Sequence, residues 1–317
     1  VTKSNLRPFG PEGWTPKRLG SLAGKTFVIT GANAGAGYEA TRLLLSKGAR
    51  VVMLNRNADK TRAAIASLKQ EHGDDTPVSF VRMDLAVLDS VREASAELLK
   101  NTARIDALIC NAAIAQVAKR EITADGFESQ LGVNHLGHFL LCGSLFERIK
   151  ESGGRIVVVG SNAYKMGLKK IQFDDLDFNH NYTAWNAYAQ SKLAQMMFAY
   201  ELQRRVEAAG IQVQVQVCHP GASRTNLLKD TASTFNKILW AVLSRVIAQS
   251  AEKGAWPEVM CATEDGLQPR SLYGPTKRMD TVGPVGECEL DEVALDRDMA
   301  SELWAVSEEK TALRWPL

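Results

Sequence analysis

From Lys25 onward, short continuous apolar runs alternate with stretches in which apolar residues return every three or four positions. The runs at 26–30, 50–54, 78–83, 105–110, 154–160 and 211–218 are β-branched and too short for helices, so they predict strands. The periodic stretches at about 36–48, 58–71, 88–101, 124–150 and 185–209 predict helices between them. Strands that are apolar on both faces, separated by helices, predict a parallel sheet covered on each side. Right-handed crossovers then make the fold doubly wound, with its site at the carboxyl ends of the strands. Past Pro220 the alternation weakens. An amphipathic helix at about 234–249, a helix at 250–263, a short strand at 271–273 and a last helix at about 294–307 are expected. A helical insertion at this place predicts a lid over the pocket, at about 225–250. Residues 1–24 contain Pro8, Pro11 and Pro16 and read as an arm. No stretch rich in Pro, Gly or Ser divides the remainder, so 25–317 is expected to be one domain.

Composition narrows the class without choosing an activity. A hydrophobic fraction of 45% and a charged fraction of 23% suit a water-soluble globular chain. The net charge of +2 offers no electrostatic reason for a nucleic-acid partner. The five cysteines form no C-x-x-C pair, and Cys110 and Cys218 end apolar runs as small hydrophobes. That fits a reducing compartment, and a cytoplasmic location is the expectation. The polar beginning of the chain does not read as a signal peptide. The longest late apolar segment, 235–248, is short for a membrane span and carries Lys237 and Arg245.

The first strand runs into Thr30-Gly-Ala-Asn-Ala-Gly-Ala-Gly37. A strand, a glycine turn and a helix are the parts of a Rossmann-type phosphate cradle. Glycines let backbone N–H groups approach a pyrophosphate, and the helix N-terminus faces the anion. Gly31, Asn33, Gly35, Ala36 and Gly37 are therefore cofactor-binding candidates, although the spacing is G-x-x-x-G-x-G. A carboxylate ending the second strand would select NAD. Here that place reads Leu54-Asn-Arg-Asn57, and Arg56 can pair with a 2′-phosphate, so NADP(H) is the expected cofactor. Asp84, at the end of the third strand and followed by Leu85, is placed to bond an adenine amino group or to cap the next helix. Asn111 and Ala112 end the fourth strand, where small residues permit close approach and Asn111 can hold the turn.

Tyr188 and Lys192 stand at i and i+4 on a predicted helix and share a face. An ammonium close to a phenol favours the phenolate and suits the Tyr to proton transfer. Ser161 follows the fifth strand, where a hydroxyl can hold a substrate carbonyl. Asn134 interrupts an apolar helical run, which suggests a contact to water or backbone. Pro220 and Gly221 break the sixth strand at the pocket edge, and Thr225 is within reach of a nicotinamide amide. His135 and His138 lack the company of a metal site and read as core or surface residues. Lys165, Lys169 and Lys170 read as a solvated face.

In this order the motifs resemble those of the short-chain dehydrogenase/reductase family across roughly residues 24–275. The segment Val133-Asn-His-Leu-Gly-His-Phe139 and the run His219-Pro-Gly-Ala-Ser-Arg-Thr225 resemble its retinol-dehydrogenase-like branch. Ala113 in place of a usual Gly, Ala36 in place of a bulkier residue and Asn162 in place of a frequent Ser are departures. The resemblance implies hydride transfer to or from a carbonyl carbon, with Tyr188 as acid/base. It also implies Lys192 as ribose binder and depressor of the Tyr pKa, Ser161 as carbonyl orienter and Asn134 as holder of a proton-relay water. The apolar residues of the lid favour a small hydrophobic ketone, aldehyde or secondary alcohol. A homo-oligomer is compatible with this reading. The competing reading is a catalytically silent NADP-binding regulatory or scaffold protein. Against it stands the intact Ser161, Tyr188 and Lys192 set, which a binder does not need.

Overall fold

The computed structural model describes residues 9–222 and 249–317. Eight strands form one sheet in the order β3-β2-β1-β4-β5-β6-β7-β8. They are β1 (Thr26–Thr30), β2 (Arg50–Asn55), β3 (Val78–Arg82), β4 (Ala107–Cys110), β5 (Arg155–Val159), β6 (Gln214–Cys218), β7 (Leu272–Lys277) and β8 (Val282–Cys288). All neighbouring pairs are parallel except β7 and β8. The order reverses direction between β1 and β4, the topological switch point at which doubly wound sheets bind ligands.

The crossovers are the helices α1 (Gly35–Leu45), α2 (Ala58–His72), α3 (Leu88–Asn101), α4 (Ser129–Leu131), α5 (Gly137–Glu151) and α6 (Ala184–Ala208). Two further helices, Ala251–Thr263 and Arg297–Thr311, follow. Successive strand residues point to opposite faces, and the core divides accordingly. Phe27, Ile29, Val51, Met53, Val157 and Val159 pack with α1, α2 and Ala251–Thr263 on one side. Val28, Val52, Leu108, Val158 and Val217 pack with α3, α5 and α6 on the other. Both faces of the central strands are therefore dry, which is why their sequences are continuously apolar rather than alternating.

Three differences from the sequence expectations bear on the site. First, the run expected as one helix over 124–150 is interrupted. Glu128 caps a first turn by accepting from the N–H groups of Gln130 (3.0 Å) and Leu131 (2.9 Å), and Gly132–Leu136 is a π-helical segment leading into α5. Second, β8 has no counterpart among the strands expected from the sequence, because Gly283, Pro284 and Gly286 are poor strand formers. It exists because its partner β7 lines up against it, Leu272 beside Cys288 and Gly274 beside Gly286. Third, the N-terminal arm is built into the fold. Trp14 is fully buried, bridges to Val285 of β8 and donates from Nε1 to Glu264 at 2.7 Å. The expected lid lies outside the described residues except for its last two positions. Of these, Gln249 donates from its backbone N–H to Ala222 O (2.9 Å) and from Nε2 to Pro220 O (2.8 Å).

Candidate active site

The glycine turn leaves β1 with Gly31 at φ +68° and enters α1 through Gly35 at φ +60°, conformations that favour glycine. A Cβ on Gly37 would stand 2.4 Å from Asn111 Nδ2 and 2.6 Å from Gly31 O, so that glycine is required by the turn's own packing. Asn111 donates from Nδ2 to the carbonyls of Thr30 (2.8 Å) and Gly31 (3.1 Å), and thereby holds the turn against the end of β4. The backbone N–H of Ala112 donates to the Thr30 hydroxyl at 2.9 Å. The α1 N-cap, Ala34, has no side chain able to cap, so the first N–H groups of the helix are open to an anion. Asn33 and Ala36 flank this opening, Asn33 half-buried and Ala36 buried.

At the end of β2, Asn55 accepts from the Ala32 N–H at 2.7 Å, while its own Nδ2 is buried without a partner. Arg56 is largely exposed, with its guanidinium 4.0 Å from Asp84 Oδ2. Asp84 accepts from the Ala86 N–H at 3.0 Å and closes its own turn, and Ser90 accepts from the Asp84 N–H. The helix-cap alternative for Asp84 is excluded, since the first free N–H of α3, that of Leu88, goes to Asp125 at 2.9 Å. Leu85 is buried, with its carbonyl packed against Gly137 at the start of α5. The unpartnered amide of Asn55, the cation at Arg56 and the uncapped helix together fit a dinucleotide cofactor across the strand ends.

The π segment brings Asn134 inward. Asn134 Oδ1 accepts from the Ile114 N–H, and Nδ2 donates to Ile114 O and to Ser191 Oγ, each at 2.9 Å. Both of its side-chain functions are thus used within the protein, and a relay water would have to use the main chain. Ser191 in turn donates to the Tyr188 carbonyl at 2.8 Å. Ser161 opens the turn Asn162–Lys165 and accepts from the Ala163 N–H at 3.3 Å. Its hydroxyl also meets that of Tyr188, whose ring packs with Ala115 and Ala163.

Burial raises the Tyr188 pKa above the ordinary phenol value, and the Ser161 hydrogen bond opposes that rise. Lys192 is 2% exposed and donates to Val159 O and Gln195 Oε1, both at 2.9 Å. Burial brings its pKa down to about 7. The expectation that Lys192 depresses the Tyr188 pKa meets a different balance in the protein alone, where desolvation dominates both groups. Gln195 is a site residue absent from the sequence expectations, and its place one turn beyond Lys192 is the local signal for it.

Pro220 and Gly221 lie at the end of β6 as expected. Gly221 has φ +66°, and a Cβ there would stand 2.4 Å from Thr281 O, while Ala222 donates to that same carbonyl at 2.8 Å. The β7–β8 turn is therefore docked at the pocket edge, and Asn162 reaches Asp280 O at 3.5 Å. The basic run is not simply solvated: Lys165 lies 3.6 Å from Asp280, and Lys169 lies 2.7 Å from Asp291. Thr225 lies outside the described residues. Among the described residues, no group of three or more His, Cys, Asp or Glu is arranged to hold a metal ion, and no helix is long and apolar enough to cross a membrane.

The family model for short chain dehydrogenases matches residues 25–173. Retinol dehydrogenase 14 of Homo sapiens is 38% identical over 311 residues, covering 91% of this chain and 87% of that protein. Retinol dehydrogenase 12 of Homo sapiens is 36% identical over 296 residues, covering 93% and 88%. Among solved structures, an uncharacterized protein from Mycobacterium paratuberculosis aligns with a TM-score of 0.78 at 37% identity, over 96% of this chain and 100% of that one. A short-chain type dehydrogenase/reductase from Mycobacterium marinum shares the fold, with a TM-score of 0.62 at 20% identity over 78% of this chain and 92% of that one.

Proposed function

The chain belongs to the short-chain dehydrogenase/reductase family, in its retinol-dehydrogenase-like branch, and on that footing we propose that it is an NADP(H)-dependent oxidoreductase acting on a hydrophobic ketone, aldehyde or secondary alcohol. The family makes it an oxidoreductase using a nicotinamide cofactor. The observation that carries the finer reading is the Ser161–Tyr188 hydroxyl pair just past the carboxyl end of β5, on the same sheet edge as the uncapped N-terminus of α1 after β1 and Arg56 after β2.

When bound, the nicotinamide supplies or takes up the hydride. The protein's residues handle the oxygen. Tyr188 gives its phenolic proton to the carbonyl oxygen in reduction and recovers it in oxidation. Ser161 donates a second hydrogen bond where alkoxide charge develops. Lys192 uses two of its N–H donors on Val159 and Gln195, leaving one to hold the nicotinamide ribose. Arg56 pairs with the 2′-phosphate, and Asp84 borders the adenine. The names of the retinol dehydrogenase relatives support an apolar substrate, of the kind a retinoid, steroid or aryl ketone represents. Preference for NADP(H) favours reduction, because cells keep that pool largely reduced.

The test is NADPH oxidation with a panel of aromatic, aliphatic and retinoid carbonyls, in wild type and Tyr188→Phe. The variant should bind NADPH as wild type does, by fluorescence titration, and lose about 100-fold or more in turnover. Tight NADPH binding by wild type with no turnover of any carbonyl or alcohol would instead support the silent binding protein.

A further inference from the structure

His138 lies between the glycine turn and Asn134, and both of its ring nitrogens are engaged. Nδ1 is 3.0 Å from the Asn134 carbonyl, and the Val133 carbonyl also faces the ring. Nε2 is 2.9 Å from the Thr30 hydroxyl. A carbonyl only accepts, so Nδ1 carries the proton and Nε2 is the acceptor. The Thr30 hydroxyl fits this assignment. It accepts from the Ala112 N–H at 2.9 Å, and its single proton goes to Nε2, its alternative acceptor, Ile109 O, lying farther away at 3.4 Å. His138, Thr30 and Asn134 are each at most 1% exposed, so no solvent substitutes for a lost partner. Burial also holds the His138 pKa down to about 4, which keeps the ring neutral and its tautomer single.

We infer that His138 is a positioning residue that ties the cofactor turn to the catalytic helix, running Thr30–His138–Asn134–Ser191–Tyr188. Every link is a hydrogen bond of 3.0 Å or less. At one end, Thr30 carries the backbone that the turn and Ala112 share. At the other, Asn134 clamps Ile114 and orients Ser191 under Tyr188. Asn134 and His138, four residues apart where the π segment passes into α5, meet at one buried junction. His138 touches no reacting atom; it fixes the direction of the Asn134 backbone, and with it the height of α6 over the strand ends. This inference rests on the oxidoreductase reading for its kinetic consequence.

Two variants separate the ring's contacts. In His138→Asn the amide nitrogen falls near the Nδ1 position and can still donate to Asn134 O. In His138→Gln the amide falls near Nε2 and keeps only the Thr30 contact. The expected result is that both variants lose kcat because each cuts the tie at one end, His138→Gln by roughly tenfold, the equivalent of one hydrogen bond, and His138→Asn by less, since the catalytic end stays held. NADPH affinity should fall about fivefold in His138→Asn, which frees Thr30, and stay within about twofold in His138→Gln. Nitrogen NMR of the wild type should report a neutral Nδ1–H imidazole at pH 7. Equal kcat losses in the two variants, losses in neither, or an Nε2–H or protonated ring would overturn the inference. The NMR signature is read without turnover. An inactive wild type with the Nδ1–H tautomer therefore condemns the oxidoreductase reading, while an active wild type with the wrong tautomer condemns the role of His138.

Discussion

Arg56 and Asp84 face each other across the ends of β2 and β3, and at 4.0 Å with Arg56 mostly exposed their attraction is weak. The guanidinium is therefore free to turn to a phosphate without giving up much. Arg56→Ala should raise the KM for NADPH by about tenfold or more and leave that for NADH little changed; equal increases would remove the case for NADP preference. Glu258 is a different kind of residue. It lies in Ala251–Thr263, is 1% exposed, and has neither carboxylate oxygen partnered. Burial pushes its pKa from 4.5 up to about 8. Between those values the folded protein keeps a proton that the unfolded chain has released, so stability falls as pH rises through this window. Glu258→Gln should flatten that decline and raise stability at pH 8 by roughly 2 kcal/mol, as urea denaturation at pH 5 and pH 8 would reveal.

At the scale of elements, the site depends on where helices are allowed to begin. Helix α5 can pass close to the Leu85 carbonyl because its first residue is Gly137, where a Cβ would stand 2.6 Å from that oxygen. Close approach of α5 to the end of β3 holds Asp84 and Leu85 at the strand ends, where the proposed cofactor's adenosine half would lie. Gly137→Ala should cost about 1–3 kcal/mol of stability by the same denaturation assay. It should also weaken cofactor binding, since the loop that must give way is the one bordering the cleft. The π segment before α5 has a related role. It turns a polar residue that a regular helix would not favour into the buried clamp on Ile114 and Ser191. Asn134 was visible in the sequence as an odd residue in an apolar run, but its partners were not. Ile114 and Ser191 are 20 and 57 residues away.

Over the whole molecule, the sheet is closed at its far edge by pieces distant in the chain. Trp14 seals β8, and the β7–β8 turn meets the end of β6 at Gly221. Trp14→Ala should destabilise the protein by about 3–5 kcal/mol, measurable as a lower thermal midpoint, because a large, fully buried side chain is lost from a packed seam. The six parallel strands before Pro220 were legible because burial on both faces imposes a local apolar signature. The glycine turn after β1 and the shared helix face of Tyr188 and Lys192 were legible because both are short, local spacings in the chain. β8 was hidden, since a strand containing Gly283, Pro284 and Gly286 is stabilised by its neighbour rather than by its own propensities. The titration of Tyr188 and Lys192 was hidden too. Their i, i+4 spacing is local and forecasts mutual influence, but desolvation is set by everything packed around them. Local pattern thus determined the elements and the chemical groups, and tertiary packing decided their protonation, their partners and the place of His138 among them. Hydrogen-bond geometry and burial exist only once remote segments share a volume.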